Sequence, residues 1–357
     1  MHTDILLHAT KALLLEKEAQ HYFDSYAIFA KVKGKTGAVF SENTNEDTLF
    51  DIASCGKVFV TTPLAFQAFG EGKLHSDDTL DKFFKNIPED IRAVKISHLL
   101  SHGSGIVKCV LRDETAAEGR ASALEQIFST PRAFPPGTQY QYSCMGMILL
   151  GFILEDVYGK SLEALFEERI KAPLGFTRSK FNVALDEPNT AKCHHWFSTE
   201  PYPYAHPWDD ENVRALRTAS GNGGQFFSLA DICKYADAIM AKDPRLYHRE
   251  FFDLAERDYH SGHSHGYGLG FRCVDARYPE GVDFFSKGTF GHGGSTGTSF
   301  YYNRTDDAYV IMLTNMRHCY DKPGFFFQYM DTFVKTRQEI YTALRADFER
   351  QGVPIQN

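Results

Sequence analysis

The sequence predicts a mixed α/β chain of the α+β sandwich type: an antiparallel sheet flanked by helices and built from both termini, with a mostly helical lobe inserted between. Two hairpins and the stretch between them carry the prediction. Tyr26 to Val32 and Gly37 to Phe40 are rich in β-branched and aromatic residues and flank the polar turn Lys33-Gly34-Lys35-Thr36. Far along the chain, Thr298 to Asn303 and Ala308 to Thr314 flank a second turn, Arg304-Thr305-Asp306-Asp307, and provide partner strands for the first hairpin. The intervening residues carry helix signals. The expected organisation is one domain over 1–357, with a sheet lobe from 1–70 plus 220–357 and a helical lobe from 71–219. A groove between two such lobes is where a site belongs.

Taken in order, Met1 to Lys11 reads as an amphipathic helix, since Asp4 and Lys11 interrupt its short apolar patches and no basic segment precedes them. After the first hairpin, Thr48 to Ile52 is strand-like, and Ser54 opens a helix that Pro63 should kink by removing a hydrogen bond. Ser143 precedes an apolar helix from Met145 to Val157, with its stripe at Leu149, Phe152, Ile153 and Val157 and a stop at Gly159. Ser161 opens another helix, closed by Pro173. Asn182 to Pro207, rich in Pro, His and aromatics, reads as a long loop and a rim for the site.

Composition narrows the function classes. A 357-residue chain with 43% hydrophobic and 24% charged residues is ordinary for a soluble globular protein. The net charge of -8, without a basic stripe, argues against nucleic-acid and anionic-membrane partners, which need clustered Lys and Arg. No run approaches the roughly 18 apolar residues of a membrane span. Seven cysteines without C-x-x-C spacing, together with the unlike-signal N-terminus, lead to the expectation of a reducing, cytoplasmic location.

The chemistry is concentrated at Ser54-Cys55-Gly56-Lys57. Residues three apart share a helix face, so the Lys57 ammonium can reach the Ser54 hydroxyl. A serine hydroxyl is a poor nucleophile until a neighbour takes its proton, and an amine drawn out of water suits that task. Two further stretches accompany this pair. Phe134-Pro135-Pro136-Gly137 turns into Tyr140-Gln141-Tyr142-Ser143-Cys144 at the mouth of the apolar helix, and Gly291-His292-Gly293-Gly294-Ser295 is a strand edge that a ligand could lie against.

These residues resemble the S-x-x-K serine hydrolases: class C β-lactamases, family VIII carboxylesterases, D-alanyl-D-alanine carboxypeptidases and D-aminopeptidases. Val94 to Gly105 resembles that family's I-x-x-L-L-x-H-x-S-G segment. Pro173-Leu174-Gly175, Gly223 to Ser228, Tyr267-Gly268-Leu269-Gly270 and Leu313-Thr314-Asn315 follow in the family's order. The resemblance implies a β-lactamase/transpeptidase-like fold and a cofactor-free, metal-free acyl transfer. In it Ser54 is the nucleophile, Lys57 and Tyr142 share its proton, and the N–H groups of Ser54 and Ser295 form the oxyanion hole. Cationic neighbours, Lys57 first, would favour the Tyr142 phenolate.

Two departures bear on substrate. The family's Y-x-N motif ends here in Cys144, losing an amide, and its K-T-G triad reads His292-Gly293-Gly294, where an imidazole replaces a permanent cation. The resemblance therefore implies a hydrolase of a small ester, amide or short peptide, with weak or no β-lactam turnover. The alternative is a penicillin-binding or sensor-like protein that acylates without efficient turnover. A third reading, metal-dependent hydrolysis, rests on Cys193-His194-His195 and on His260 to His265, which hold metal-ligand residue types without a fixed scaffold. Cys55 and Cys144 read as buried packing or as redox-sensitive thiols, His98 and His102 as structural, and Asp209-Asp210-Glu211-Asn212 as a solvated loop near the cleft.

Overall fold

The computed structural model describes residues 3–107, 110–112, 115–193, 206–261, 266–274, 284–319 and 326–355. Its strands in chain order are β1 (Tyr26–Val32), β2 (Lys35–Phe40), β3 (Leu49–Asp51), β4 (Phe226–Ser228), β5 (Gly266–Tyr267), β6 (Arg272–Val274), β7 (Thr289–Gly293), β8 (Ser299–Asn303) and β9 (Ala308–Thr314). Seven of them form one antiparallel sheet in the order β2-β1-β9-β8-β7-β6-β5, and β3 pairs with β4 apart from it. The early hairpin meets the late one through β1 and β9, from Tyr26 opposite Thr314 to Val32 opposite Ala308. Strands β1 and β2 thus share a single sheet with β5 to β9.

The first hairpin turn is tighter than its sequence suggests. Only Lys33 and Gly34 lie between paired residues, at φ 49° and 76°, and a two-residue turn with both φ values positive matches the right-handed twist of the strands. Lys35 and Thr36 are consequently in β2.

Both faces of the sheet are covered. Ile28, Ala30, Val32, Val310 and Met312 pack with Leu14, Ile340, Leu344 and Phe348 of the terminal helices His8–Ala19 and Phe326–Arg350. The alternate residues Ala27, Phe29, Ile311 and Leu313 belong to the larger core that includes the central helices. Burial on both faces explains why β1 and β9 are almost continuously apolar instead of alternating.

The N-terminal helix begins at His8, later than its amphipathic pattern implies. The N–H groups of Asp4 and Ile5 bond Thr36 O at 2.7 and 2.9 Å, while Ile5 and Leu7 are buried, so sheet-edge pairing competes successfully with helix for these residues. The helix then docks on its C-terminal partner through Thr10, whose N–H and hydroxyl donate to Asp347 Oδ2 at 2.9 and 2.8 Å.

The helices nearest the glycine-rich strand edge follow local capping rules. Ser143 Oγ accepts the Met145 N–H at 3.2 Å to start Cys144–Tyr158, and Gly159 ends it at φ 64°. Pro63 does not kink a helix begun by Ser54. Ala53–Cys55 is a 3-10 turn, Lys57–Thr61 a π-helical turn, and the α-helix proper is Thr62–Gly70, so Pro63 falls in its first turn, where a missing N–H costs little. The same solution recurs at Pro173, which follows the π-helical turn Glu167–Lys171 and precedes Gly175 at φ 67°. Within the stretch read as a long loop, residues 194–205 lie outside the described residues.

Candidate active site

Ser54 and Lys57 meet where β3 runs into the 3-10 turn. Lys57 Nζ donates to Ser54 Oγ at 2.9 Å and to the carbonyl of Asn222 at 2.6 Å, and the lysine side chain is completely buried. Ser54 remains partly exposed between buried neighbours. Ala53, just before it, has φ 46°, a left-handed conformation that costs a non-glycine residue about 1–2 kcal/mol. A hydrogen bond of 2.8 Å from its N–H to Asp51 Oδ1, worth about 1.5–3 kcal/mol when the acceptor is charged, can offset that cost.

The end of β7 lies directly against this turn. A Cβ on Gly294 would fall 2.6 Å from Ile52 O and 3.1 Å from the Ala53 Cβ, so only glycine lets the two backbones approach this closely. Thr296 Oγ1 donates to Asp51 O at 2.7 Å and Gly294 N–H donates to Thr298 O at 2.7 Å, fixing the loop between them. Ser295, at its tip, is partly exposed, as Ser54 is, while Gly293, Gly294 and Thr296 around it are buried. The two residues whose N–H groups were expected to face an oxyanion therefore sit on adjoining turns.

Tyr142 approaches from a third direction. Its ring lies 5.3 Å from Lys57 Nζ and 5.6 Å from Arg272 Cζ, and its buried hydroxyl, close enough to Ser54 to feel it electrostatically, makes no hydrogen bond among the described residues. Burial pushes the phenol well above its usual value, Cys144 adds to the rise, and Ser54 and Arg272 only partly oppose it. Tyr142 is thus a neutral phenol at rest, which corrects the expectation of a favoured phenolate; burial outweighs the cations, of which Arg272 is the influential one.

His292 is fully buried at the edge of the same site. Its Nδ1 lies 2.7 Å from Gly293 O, which can only accept, so Nδ1 carries the proton and Nε2, without a partner among the described residues, presents a lone pair. Burial, then Arg272 and Lys57, hold its pKa well below the usual range, and the imidazole is neutral at pH 7. His102 also does more than pack. Its Nδ1 accepts the Ser143 N–H at 3.3 Å, its Nε2 lies 3.1 Å from Tyr267 Oη, and its ring is 4.4 Å from that of Tyr142. Arg272 gave no sequence signal of its own. It stands on β6 opposite Gly291, and only the strand register brings its guanidinium to the site.

The remaining candidates sort by burial. Cys144 is buried at the start of its helix, beside Tyr142. Cys55 is completely buried, its thiol pushed up to about 12 by burial and directed at His292 O and Thr298 O, 3.5 and 3.8 Å away, so it is packing. His98 Nδ1 accepts the Lys95 N–H at 3.2 Å, and His260 Nε2 bonds Ser101 O at 2.8 Å. Among the described residues no group of three or more His, Cys, Asp or Glu could hold a metal ion; His194, His195, His263 and His265 lie outside them. Asp209 to Asn212 is not a solvated loop. Asp209 and Asn212 are 2% and 1% exposed, and Asp210 caps the helix Glu211–Leu216 by accepting the Asn212 and Val213 N–H groups, a capping signal that three adjacent polar residues disguised.

The chain is similar to known proteins in sequence and in fold. A protein of Escherichia coli O157:H7 named "Putative D-alanyl-D-alanine carboxypeptidase" is 28% identical over 341 residues, covering 84% of this chain and 74% of that protein. Among solved structures, the octameric penicillin-binding protein homologue from Pyrococcus abyssi superposes with a TM-score of 0.69 at 22% identity, over 96% of this chain and 81% of that one. EstCE1, described as a hydrolase with promiscuous acyltransferase activity, superposes with a TM-score of 0.72 at 20% identity, over 94% and 98%. These likenesses are of fold. The family model for Beta-lactamase matches residues 17–322, most of the chain, and the protein therefore belongs to the beta-lactamase family and is a serine hydrolase.

Proposed function

We propose that the protein hydrolyses a small ester, amide or short peptide through an acyl-enzyme on Ser54. The 2.9 Å contact between the Ser54 hydroxyl and the buried Lys57 amine carries the reading. In its amine form Lys57 keeps its bond to Asn222 O and directs its lone pair at Ser54 Oγ. As Oγ bonds to the substrate carbonyl carbon, its proton passes to Lys57 Nζ, and the negative oxygen forms between the N–H groups of Ser54 and Ser295. Collapse breaks the bond to the leaving group, which takes a proton from Tyr142, held as a neutral phenol. Tyr142 recovers that proton from Lys57. Water then attacks the acyl carbon with Lys57 again accepting the proton, and collapse breaks the bond to Ser54 Oγ, which takes that proton from Lys57 and restores the resting serine and amine.

The substrate preference follows from the two departures. A thiol at Cys144 cannot hydrogen-bond an amide side chain as an asparagine would, and neutral His292 cannot engage a carboxylate as a lysine would. The charge-assisted contact missing at His292 is worth roughly 1.5–3 kcal/mol and the uncharged one missing at Cys144 about 0.5–1.5 kcal/mol, so β-lactam turnover should be weak. Arg272 supports a second preference within the same class, peptides ending in a carboxylate, which suits the carboxypeptidase name carried by the relatives. The sensor-like alternative rests on Cys144 and predicts stoichiometric acylation without turnover. The cysteine pattern supports work in a reducing cytosol.

The test is fluorophosphonate labelling of the purified protein alongside Ser54→Ala. The reading requires labelling of the wild type only, and a fall in turnover of about 10⁵-fold or more in the variant. Label that persists or moves to another serine would sink it.

A further inference from the structure

Directly beneath Ser54 lies a carboxylate that the proposed reaction does not use. Asp51 ends β3 and is 5% exposed, between apolar neighbours. Its two oxygens serve different loops: Oδ1 accepts the N–H of left-handed Ala53 at 2.8 Å, and Oδ2 accepts the N–H of Asp209 at 3.2 Å. Its own carbonyl receives the Thr296 hydroxyl at 2.7 Å. One residue therefore joins the turn that carries Ser54, the loop that carries Ser295 and the segment that precedes the Glu211–Leu216 helix. That segment reaches Lys57 as well, because Asp210 Oδ1 accepts Asn222 Nδ2 at 3.1 Å and Asn222 O accepts Lys57 Nζ.

The position is an expensive place for a charge. Burial, and then the neighbouring Asp209 carboxylate, raise the Asp51 carboxyl well above the ordinary range, while the N–H groups of Ala53 and Asp209 oppose the rise. An apolar residue would end β3 at lower cost, but it could not hold the Ala53 N–H. Without that bond Ala53 relaxes toward the right-handed region that alanine prefers, and this rotates the Ser54 side chain away from Lys57.

We propose that Asp51 is a positioning residue: by clamping Ala53 in its left-handed conformation it sets the Ser54 hydroxyl on Lys57 and the Ser54 N–H beside the Ser295 loop. The inference rests on Ser54 being the nucleophile. It assigns Asp51 no contact with substrate. It does assign a specific geometry, because the clamp is needed only while residue 53 carries a Cβ.

The experiment measures saturable inactivation by a fluorophosphonate, as kinact and KI, with thermal melting in parallel, for the wild type, Asp51→Ala, Asp51→Asn and the double variant Asp51→Ala/Ala53→Gly. A displacement of about 1 Å at a nucleophile can cost about 10²-fold, so Asp51→Ala should lose that order in kinact with KI within about twofold. Asp51→Asn keeps an oxygen for the Ala53 N–H and should recover most of the rate. The double variant should recover part of it even though Tm does not recover, since glycine adopts φ 46° unaided. If Asp51→Ala does not fold, Asp51→Val takes its place, because it suits a strand end and has no oxygen to accept the Ala53 N–H. Wild-type kinact in Asp51→Ala, or losses that follow Tm across all the variants with no rescue by glycine, overturns the inference. Those outcomes leave Ser54 as the nucleophile so long as Ser54→Ala abolishes labelling, whereas label retained by Ser54→Ala removes the foundation of both.

Discussion

Gly294→Ala is the most informative single perturbation of the proposed oxyanion hole, because it adds one methyl group at a place where the structure gives the consequence in ångströms. The new Cβ would lie 2.6 Å from Ile52 O, a backbone atom, and 3.1 Å from the Ala53 Cβ. Bringing the first contact out to 3.0–3.4 Å separates the two turns by roughly 0.4–0.8 Å. Donors to an oxyanion act at about 2.7–3.1 Å, so such a displacement carries the Ser295 N–H out of range, and losing one donor costs about 10²–10³-fold in kcat. Steady-state hydrolysis of p-nitrophenyl acetate is the assay: kcat should fall by about 10²-fold with KM changed little, and stability should fall by about 1–3 kcal/mol from overpacking. Gly70→Ala is the control for alanine as such, since its Cβ would meet only the side chains of Phe251 and His248 at 3.4 and 3.7 Å. Full activity in Gly294→Ala would refute the argument that the approach of these two turns forms the oxyanion site.

Lys57→Ala and Tyr142→Phe should each remove most activity, and the double variant should be little worse than either; multiplicative losses in kcat would show two independent groups instead of one proton-transfer unit. Cys144→Asn should raise nitrocefin hydrolysis relative to p-nitrophenyl acetate hydrolysis by roughly tenfold, one charge-free contact being worth about 0.5–1.5 kcal/mol; an unchanged ratio of kcat/KM values removes the substrate argument built on that thiol. The raised Asp51 carboxyl gives a signed pH dependence. A carboxyl whose folded pKa exceeds its unfolded value near 4 binds its proton more tightly in the folded state, so its contribution to stability is present in acid and is lost as pH rises from about 4 toward neutrality. Asp51→Asn should therefore gain Tm relative to the wild type between pH 5 and pH 8, and a constant difference across that range would contradict the burial argument.

Much of this site was legible in the sequence because its parts are local. The i, i+3 spacing of Ser54 and Lys57 needs only helical geometry, which the 3-10 and π-helical turns preserve closely enough to give a 2.9 Å contact. Ser143 and Gly159 marked their helix by capping chemistry alone, and the two hairpins declared themselves by β-rich runs around polar turns. What the sequence concealed is what depends on distant partners. Arg272 reaches the site through strand register, and Asp51 gains its role from Ala53, Asp209 and Thr296, residues on three separate segments. The protonation state of Tyr142 was misread for the same reason, and that of His292 was left open by the sequence. Tyr142 and His292 are set by full burial, which outweighs the nearby cations for the tyrosine and reinforces their effect on the histidine. The Asp209 to Asn212 run looked solvated because charge usually means surface, and its capping and buried contacts appear only once the Glu211–Leu216 helix is in place.

The central claim is a covalent intermediate on Ser54, and rapid-quench trapping tests it most directly. Wild-type protein mixed with excess p-nitrophenyl acetate, quenched in acid during the first turnover and digested, should carry one acetyl group per chain on the peptide containing Ser54, appearing with the burst of p-nitrophenol and absent from Ser54→Ala. Turnover with no acyl group on that peptide, or with the acyl group on a different residue, would contradict the account.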